Sequence, residues 1–159
     1  MTMKVPARRE LAVDGQTLVL RRAELGEIID LRHRVLRAGL PRETAVFAGD
    51  EMPTSLHVGA FVDARTVCCA TFHLSRWQDE PAWQLRGMAT DDLFRGKGVG
   101  RALLALAEQM LCDAGPIRQL WANARVPAVG FYQSLGWEVV SPEFEIPTAG
   151  PHHQIAKKL

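Results

Sequence analysis

Residues 85–104, LRGMATDDLFRGKGVGRALL, constrain the fold of this chain more than any other stretch. They run from an apolar segment through a short polar break into a glycine-rich turn, and then into an amphipathic helix. Gly96, Gly98 and Gly100 alternate with Lys97 and Val99, so several backbone N–H groups can converge with no Cβ in the way. The first N–H groups of the following helix lack intrahelical acceptors, and its dipole places positive potential there. Arg95, Lys97 and Arg101 add full charges. This chemistry suits a phosphate or pyrophosphate group. A dinucleotide fingerprint, G-x-G-x-x-G, fails in both registers, because its last position falls on Arg101 or on Leu103. A Walker A loop fails too, since neither Gly98 nor Gly100 is followed by Lys-Ser/Thr.

The pattern that remains is R-x-x-G-x-G, filled by Arg95, Gly98 and Gly100. It resembles the acyl-CoA pyrophosphate loop of the GNAT N-acetyltransferase superfamily. A second block, Gln119 to Trp137, resembles the family's strand–helix–strand motif L-x-x-x-x-N-x-x-A-x-x-x-Y-x-x-x-G-F, with Ala128, Tyr132, Gly136 and Trp137 in register. One position departs: the usual Asn is Arg125, and Asn123 lies two residues earlier. The resemblance therefore leaves two candidates, Asn123 and Arg125, for the side chain that meets the CoA. Tyr132 is the chain's one tyrosine, while six phenylalanines were available for packing alone.

Composition agrees with such a reading. At 159 residues, 47% hydrophobic and 23% charged, the chain suits one globular domain with a sizeable core. A net charge of +1 gives no reason to expect a nucleic-acid partner. The three cysteines include no C-x-x-C pair, so neither a metal site nor a disulfide framework is expected. Cys68 and Cys69 are adjacent and would face opposite sides of a strand. No apolar run approaches the roughly 18 residues of a membrane span, and no signal-like segment opens the chain, so a cytoplasmic location without membrane attachment is expected.

Along the chain, residues 1–15 read as loosely ordered. Residues 17–20 read as a strand, and Leu25, Ile28, Ile29, Leu31, Val35 and Leu36 have helical spacing. A short second helix is expected near residues 43–47. Strands are expected at 56–62 and 66–74, joined by a turn at 63–65, and at 82–90. Helices are expected at 97–114 and from Pro127 to Leu135, with strands at 117–122, 137–140 and 152–158. This order is α+β with a mixed sheet, and it is the order of the GNAT acyl-CoA N-acyltransferase fold, a mixed central sheet flanked by helices. The resemblance implies that the strands before the glycine loop and before Tyr132 splay apart, and that the gap receives the pantetheine arm.

The resemblance further implies direct acetyl transfer from acetyl-CoA, as cosubstrate, to a primary amine of a small molecule. It places a backbone N–H donor for the thioester oxygen around Met88, Ala89 and Thr90, and the pyrophosphate on residues 95–101, Arg95, Gly96, Lys97, Gly98, Val99, Gly100 and Arg101. Tyr132 would supply the leaving thiolate's proton. Many members carry a glutamate base on the strand before the loop, whereas here residues 83–88 hold no acid and Arg86 raises the positive potential. That potential suits a carboxylate-bearing acceptor better than a cationic one. The remaining candidates for the base are Glu80, Asp50, Glu51, His57, His73, Glu145 and His152. Residues 144–153 resemble a Gly-Ile-Pro-His tail of one GNAT branch, in which the loop borders the acceptor, so Glu145 and His152 are favoured. His152 and His153 are adjacent and cannot both face one site on a strand, which argues against a two-histidine metal site. Two other readings stay open: a CoA-binding sensor without turnover, and transfer to a protein amine. Monomer and homodimer are equally compatible with the sequence.

Overall fold

The computed structural model describes residues 7–159, and its nine strands make one sheet. β1 (Arg8–Val13), β2 (Gln16–Arg22), β3 (Leu56–Val62), β4 (Arg65–Trp77) and β5 (Glu80–Thr90) follow one another as antiparallel neighbours. β6 (Gln119–Arg125) then runs parallel to β5, and β9 (Gly150–Lys158) is antiparallel to β6. β7 (Glu138–Val139) and β8 (Phe144–Ile146) both pair with β9. The mixed α+β architecture expected from the sequence is present.

Two faces of this sheet are covered by different helices. α1 (Leu25–Leu36) lies over one face, where Ile28 and Leu31 pack with Phe61, Cys69 and Ala89. α2 (Val99–Ala114) covers the other, where Val99, Leu103, Leu106 and Leu111 join Cys68, Phe72, Leu85 and Leu120. The adjacent cysteines do fall on opposite faces, as strand alternation requires. α3 (Val129–Ser134) is short and brings Tyr132 into the α2-side core.

Three expectations are revised by the structure. Residues 8–13 are a paired strand, not a loose segment: Asp14 and Gly15, at φ +49° and +79°, make the tight turn that folds β1 onto β2. Residues 1–6, also expected to be loose, lie outside the described residues. The expected short helix is a single 3-10 turn over Arg42–Ala45. α2 begins at Val99, two residues later than the spacing predicts, because Gly98 at its N-cap sits at φ +81°, outside helical geometry.

The feature that positions the site is the divergence of β5 from β6. The two strands pair only at Trp83↔Leu120 and Gln84↔Trp121. Beyond that point β5 is pulled away by a bulge: between Cys69↔Ala89 and Thr71↔Arg86, β4 advances two residues while β5 uses three. Gly87 takes the strained conformation, at φ +65°. A Cβ there would lie 2.5 Å from Arg32 Nε, so glycine is required by backbone and by neighbour alike.

Arg32 explains why the bulge is held. It is a helix residue of α1, yet its side chain and that of Asp50 are both 0% exposed and ion-paired at 2.6 Å. Arg32 also donates to the Ala45 carbonyl and to Thr71 Oγ1, each at 2.8 Å. Asp50 further accepts from His73 Nε2 and from the Phe47 N–H. Burial alone would push the Asp50 pKa up, but bonds from His73 and Arg32 hold it far below the usual carboxylate range. Removing one partner of such a buried pair costs roughly 3–5 kcal/mol.

Candidate active site

Two adjoining clefts open at the splayed strands. The first is lined by Met88, Ala89 and Thr90 of β5, by Arg95, Gly96, Gly98, Val99 and Gly100 of the glycine loop, and by Phe131 and Tyr132 of α3. Its volume is about 530 Å³. Here the N-terminus of α2 presents its free N–H groups, and its first turn carries no acidic residue to compete for them. Gly100 is set by close approach, since a Cβ there would stand 3.0 Å from Met88 Cε and 3.3 Å from Phe131 Cζ. This loop geometry, with its open backbone and positive helix end, fits a pyrophosphate. Lys97 and Arg101 are exposed at its rim and do not line the cleft; Lys97 pairs with Asp14 at 2.9 Å, and Arg95 with Asp92 at 3.3 Å.

The second cleft, about 250 Å³, lies within the splay itself. Its walls include Arg37 at the end of α1, Phe47, residues 84–88 of β5, residues 122–125 of β6, Ile146 and His152. Both Asn123 and Arg125, the two candidates for the shifted asparagine, therefore face this cavity. Arg125 donates to the Leu36 carbonyl at 3.4 Å.

The clefts meet at Leu36, Met88, Ala128 and Tyr132, which line both. Tyr132 is buried, packed edge-on against Trp137 at 5.6 Å and Phe131 at 5.2 Å. Its hydroxyl donates to Met88 Sδ at 3.5 Å, a weak acceptor that leaves the proton easily redirected. Burial raises its pKa further above the ordinary value, so it stays protonated.

Of the residues named as possible bases, His152 alone lines the second cleft. It is buried, and its Nδ1 donates to the Gly150 carbonyl at 2.7 Å, which leaves the lone pair on Nε2. Glu145 is exposed: on β8 it alternates with Phe144 and Ile146, and Ile146 faces the cleft. Glu80 and Glu51 are exposed, while Asp50, His57 and His73 are consumed in the buried network under α1. Burial also pushes the Cys68 thiol up to about 11 and the Cys69 thiol up to about 12, so neither is a thiolate nucleophile at neutral pH.

Sequence reasoning did not single out Arg37 and Phe47 as site residues. A signal for Arg32 was present, since it lies three and four residues after Ile29 and Ile28 on the apolar stripe of α1. Phe47 left no periodic signal, because it sits in an irregular segment.

Comparison with known proteins agrees with this geometry. The model of the acetyltransferase (GNAT) domain matches residues 45–147. The chain is 34% identical over 136 residues to the uncharacterised N-acetyltransferase YitI of Bacillus subtilis (strain 168), covering 82% of this chain and 89% of that protein. Among solved structures, ElaA of Escherichia coli superposes with a TM-score of 0.75 at 18% identity, over 87% of this chain and 99% of that one. An aminoglycoside 6'-N-acetyltransferase complexed with coenzyme A superposes with a TM-score of 0.70 at 13% identity, over 87% and 96%. Glycine loop, splayed strands and relatives converge: the chain belongs to the GNAT family of acyl-CoA-dependent N-acetyltransferases.

Proposed function

We propose that this enzyme transfers an acetyl group from acetyl-CoA directly to the primary amine of a small molecule. The observation that carries the reading is the meeting of two clefts at Met88 and Tyr132, one ending in the glycine loop and the other holding a buried histidine with a free Nε2. The glycine loop and the α2 N-terminus would hold the pyrophosphate, and the β5 side of the splay the pantetheine arm. Acetyl-CoA supplies an acyl thioester activated toward amines.

The protein's own residues then divide the work. An amine attacks only when neutral, and His152 Nε2 takes its proton, directly or through one water. As the C–N bond forms and the C–S bond breaks, negative charge develops first on the acyl oxygen. Backbone N–H groups at the bulge, around Met88–Thr90, are fixed donors for it. Charge then passes to the sulfur. The Tyr132 pKa lies above its ordinary value of about 10, while a thiol titrates near ~8.5. Full transfer of the Tyr132 proton is therefore uphill by roughly 2 kcal/mol or more. Tyr132 acts instead as a hydrogen-bond donor to the leaving thiolate, which is protonated from solvent as it departs. Buried, protonated Cys68 and Cys69 favour direct transfer over an acyl-cysteine route.

Steady-state thiol release in three variants tests the assignment. H152Q lowers kcat/KM by about 10²-fold or more, the usual range for a lost general base. Y132F lowers kcat by roughly 10- to 100-fold, the worth of a hydrogen bond to a charged group. E145Q leaves both near wild type. Full rates in H152Q with a loss in E145Q would move the base to β8.

A further inference from the structure

The second cleft is lined by cations and by no carboxylate. Arg37, Arg86 and Arg125 all face it, and Arg86 and Arg37 lie over the Phe47 ring at 4.3 and 5.2 Å. Several arginines elsewhere find acids, Arg21 with Glu27, Arg42 with Asp30, Arg34 and Arg65 with Asp91, while Arg9, Arg76 and Arg118 bond neutral acceptors; what sets the cleft apart is that three such cations converge on one cavity. Among the described residues, none of the three cleft arginines has an acidic partner, and residues 1–6 include no acid. Asp50, the nearest carboxylate felt by Arg86, is already engaged by Arg32 and His73. Arg37 and Arg125 both turn to a single carbonyl oxygen, that of Leu36, at 3.1 and 3.4 Å. Two like charges on one acceptor repel, and partial burial strengthens the repulsion. Consistent with that crowding, burial lowers the pKa of Arg37, with Arg125 and Arg32 adding to it, and burial likewise lowers that of Arg86.

Nothing in the packing of the fold requires three unneutralised guanidinium groups around one cavity. A planar anion would satisfy them, since the guanidinium fork matches a carboxylate's two oxygens. The phosphates of the donor are not the obvious occupant, because the glycine loop lies in the other cleft. A volume of about 250 Å³ falls just below the usual ligand-pocket range of roughly 300–1,000 Å³, which suits a small acceptor. We propose that the acceptor is a small primary amine bearing carboxylate groups, an amino acid with an acidic side chain above all, and that Arg37, Arg86 and Arg125 select it. This rests on the acetyl-transfer reading of the same cleft.

The test uses the full-length protein, saturating acetyl-CoA and three matched amines: glutamate, glutamine and glutaminamide, which carry two, one and no carboxylates. Spermidine is added as a cationic amine and phosphoethanolamine as a phosphate-bearing one. The expected order of kcat/KM is glutamate, glutamine, glutaminamide, with at least a tenfold span, a modest value for charge-assisted hydrogen bonds. R37Q and R86Q compress that span by raising KM for glutamate, while KM for acetyl-CoA stays within about twofold. A flat series, or spermidine as the best substrate, overturns the proposal, and so does a rise in KM for acetyl-CoA alone. Phosphoethanolamine as the best substrate replaces the carboxylate with a phosphate and overturns it in that respect. Calorimetric titration of the same amines in the presence of CoA separates the two readings. Glutamate binding over glutaminamide without thiol release keeps the anion preference and sinks acetyl transfer; release without that preference does the reverse.

Discussion

Alanine at Gly87 should be far more damaging than alanine at Gly98, although both glycines have positive φ. At Gly98, φ +81°, a Cβ meets no atom within 4 Å. Its cost is conformational, about 1–2 kcal/mol for a left-handed alanine. Reduced freedom of the unfolded chain offsets about 0.4–1 kcal/mol of that. At Gly87, φ +65°, the same terms apply, but the Cβ also falls 2.5 Å from Arg32 Nε and 3.0 Å from its Cζ. Arg32 cannot swing away, since Asp50, Thr71 and the Ala45 carbonyl hold it in a fully buried position. Displacing it unpairs Asp50, an effect of roughly 3–5 kcal/mol if complete. The two variants should therefore differ by about 3 kcal/mol. With a urea m-value near ~2 kcal/mol/M, G87A should melt about 1.5 M earlier than G98A. Urea unfolding followed by far-UV circular dichroism reads this directly. Midpoints within about 0.3 M of each other would refute the idea that Arg32 buttresses the bulge.

Two further outcomes follow from the same geometry. Leucine at Gly100 would press on Met88 and Phe131 and fill the loop-side cleft, weakening acetyl-CoA binding by about tenfold or more in a calorimetric titration; unchanged binding would mean the loop does not carry the donor. His57 donates through Nε2 to the Asp50 carbonyl and accepts at Nδ1 from Thr71, so the fold requires it neutral, and burial lowers its pKa. Below about pH 6.5 the unfolded chain binds a proton that the native state refuses, so stability falls with pH by up to ~1.4 kcal/mol per unit. Between pH 7 and 5.5 the H57Q variant should lose stability less steeply than wild type, and parallel slopes would contradict the assignment.

What the sequence made legible was local. The extents of β3 and α1, the hairpin turn after Val62 and the glycine loop follow from alternation, helical spacing and turn chemistry within a few residues of each position. β1 was missed although its Asp14-Gly15 turn is a strong hairpin signal, because Arg8-Arg9-Glu10 is too polar to look like a strand and only pairing with β2 orders it. β8 has three residues and exists through β9. The site shows the same division. The glycine loop and Tyr132 lie on contiguous motifs. The Arg32–Asp50 pair joins residues 18 apart, and the cleft arginines come from the C-cap of α1, from β5 and from β6, so their convergence depends on tertiary packing. Glu145 and His152 were indistinguishable until β8 fixed which side of that strand faces the cavity.

The most direct test is continuous measurement of thiol release from acetyl-CoA across a panel of small amines, with a no-amine control. Amine-dependent, saturable release that falls in H152Q and Y132F is the result expected of a direct N-acetyltransferase. Saturable acetyl-CoA binding with release that no amine accelerates would contradict it.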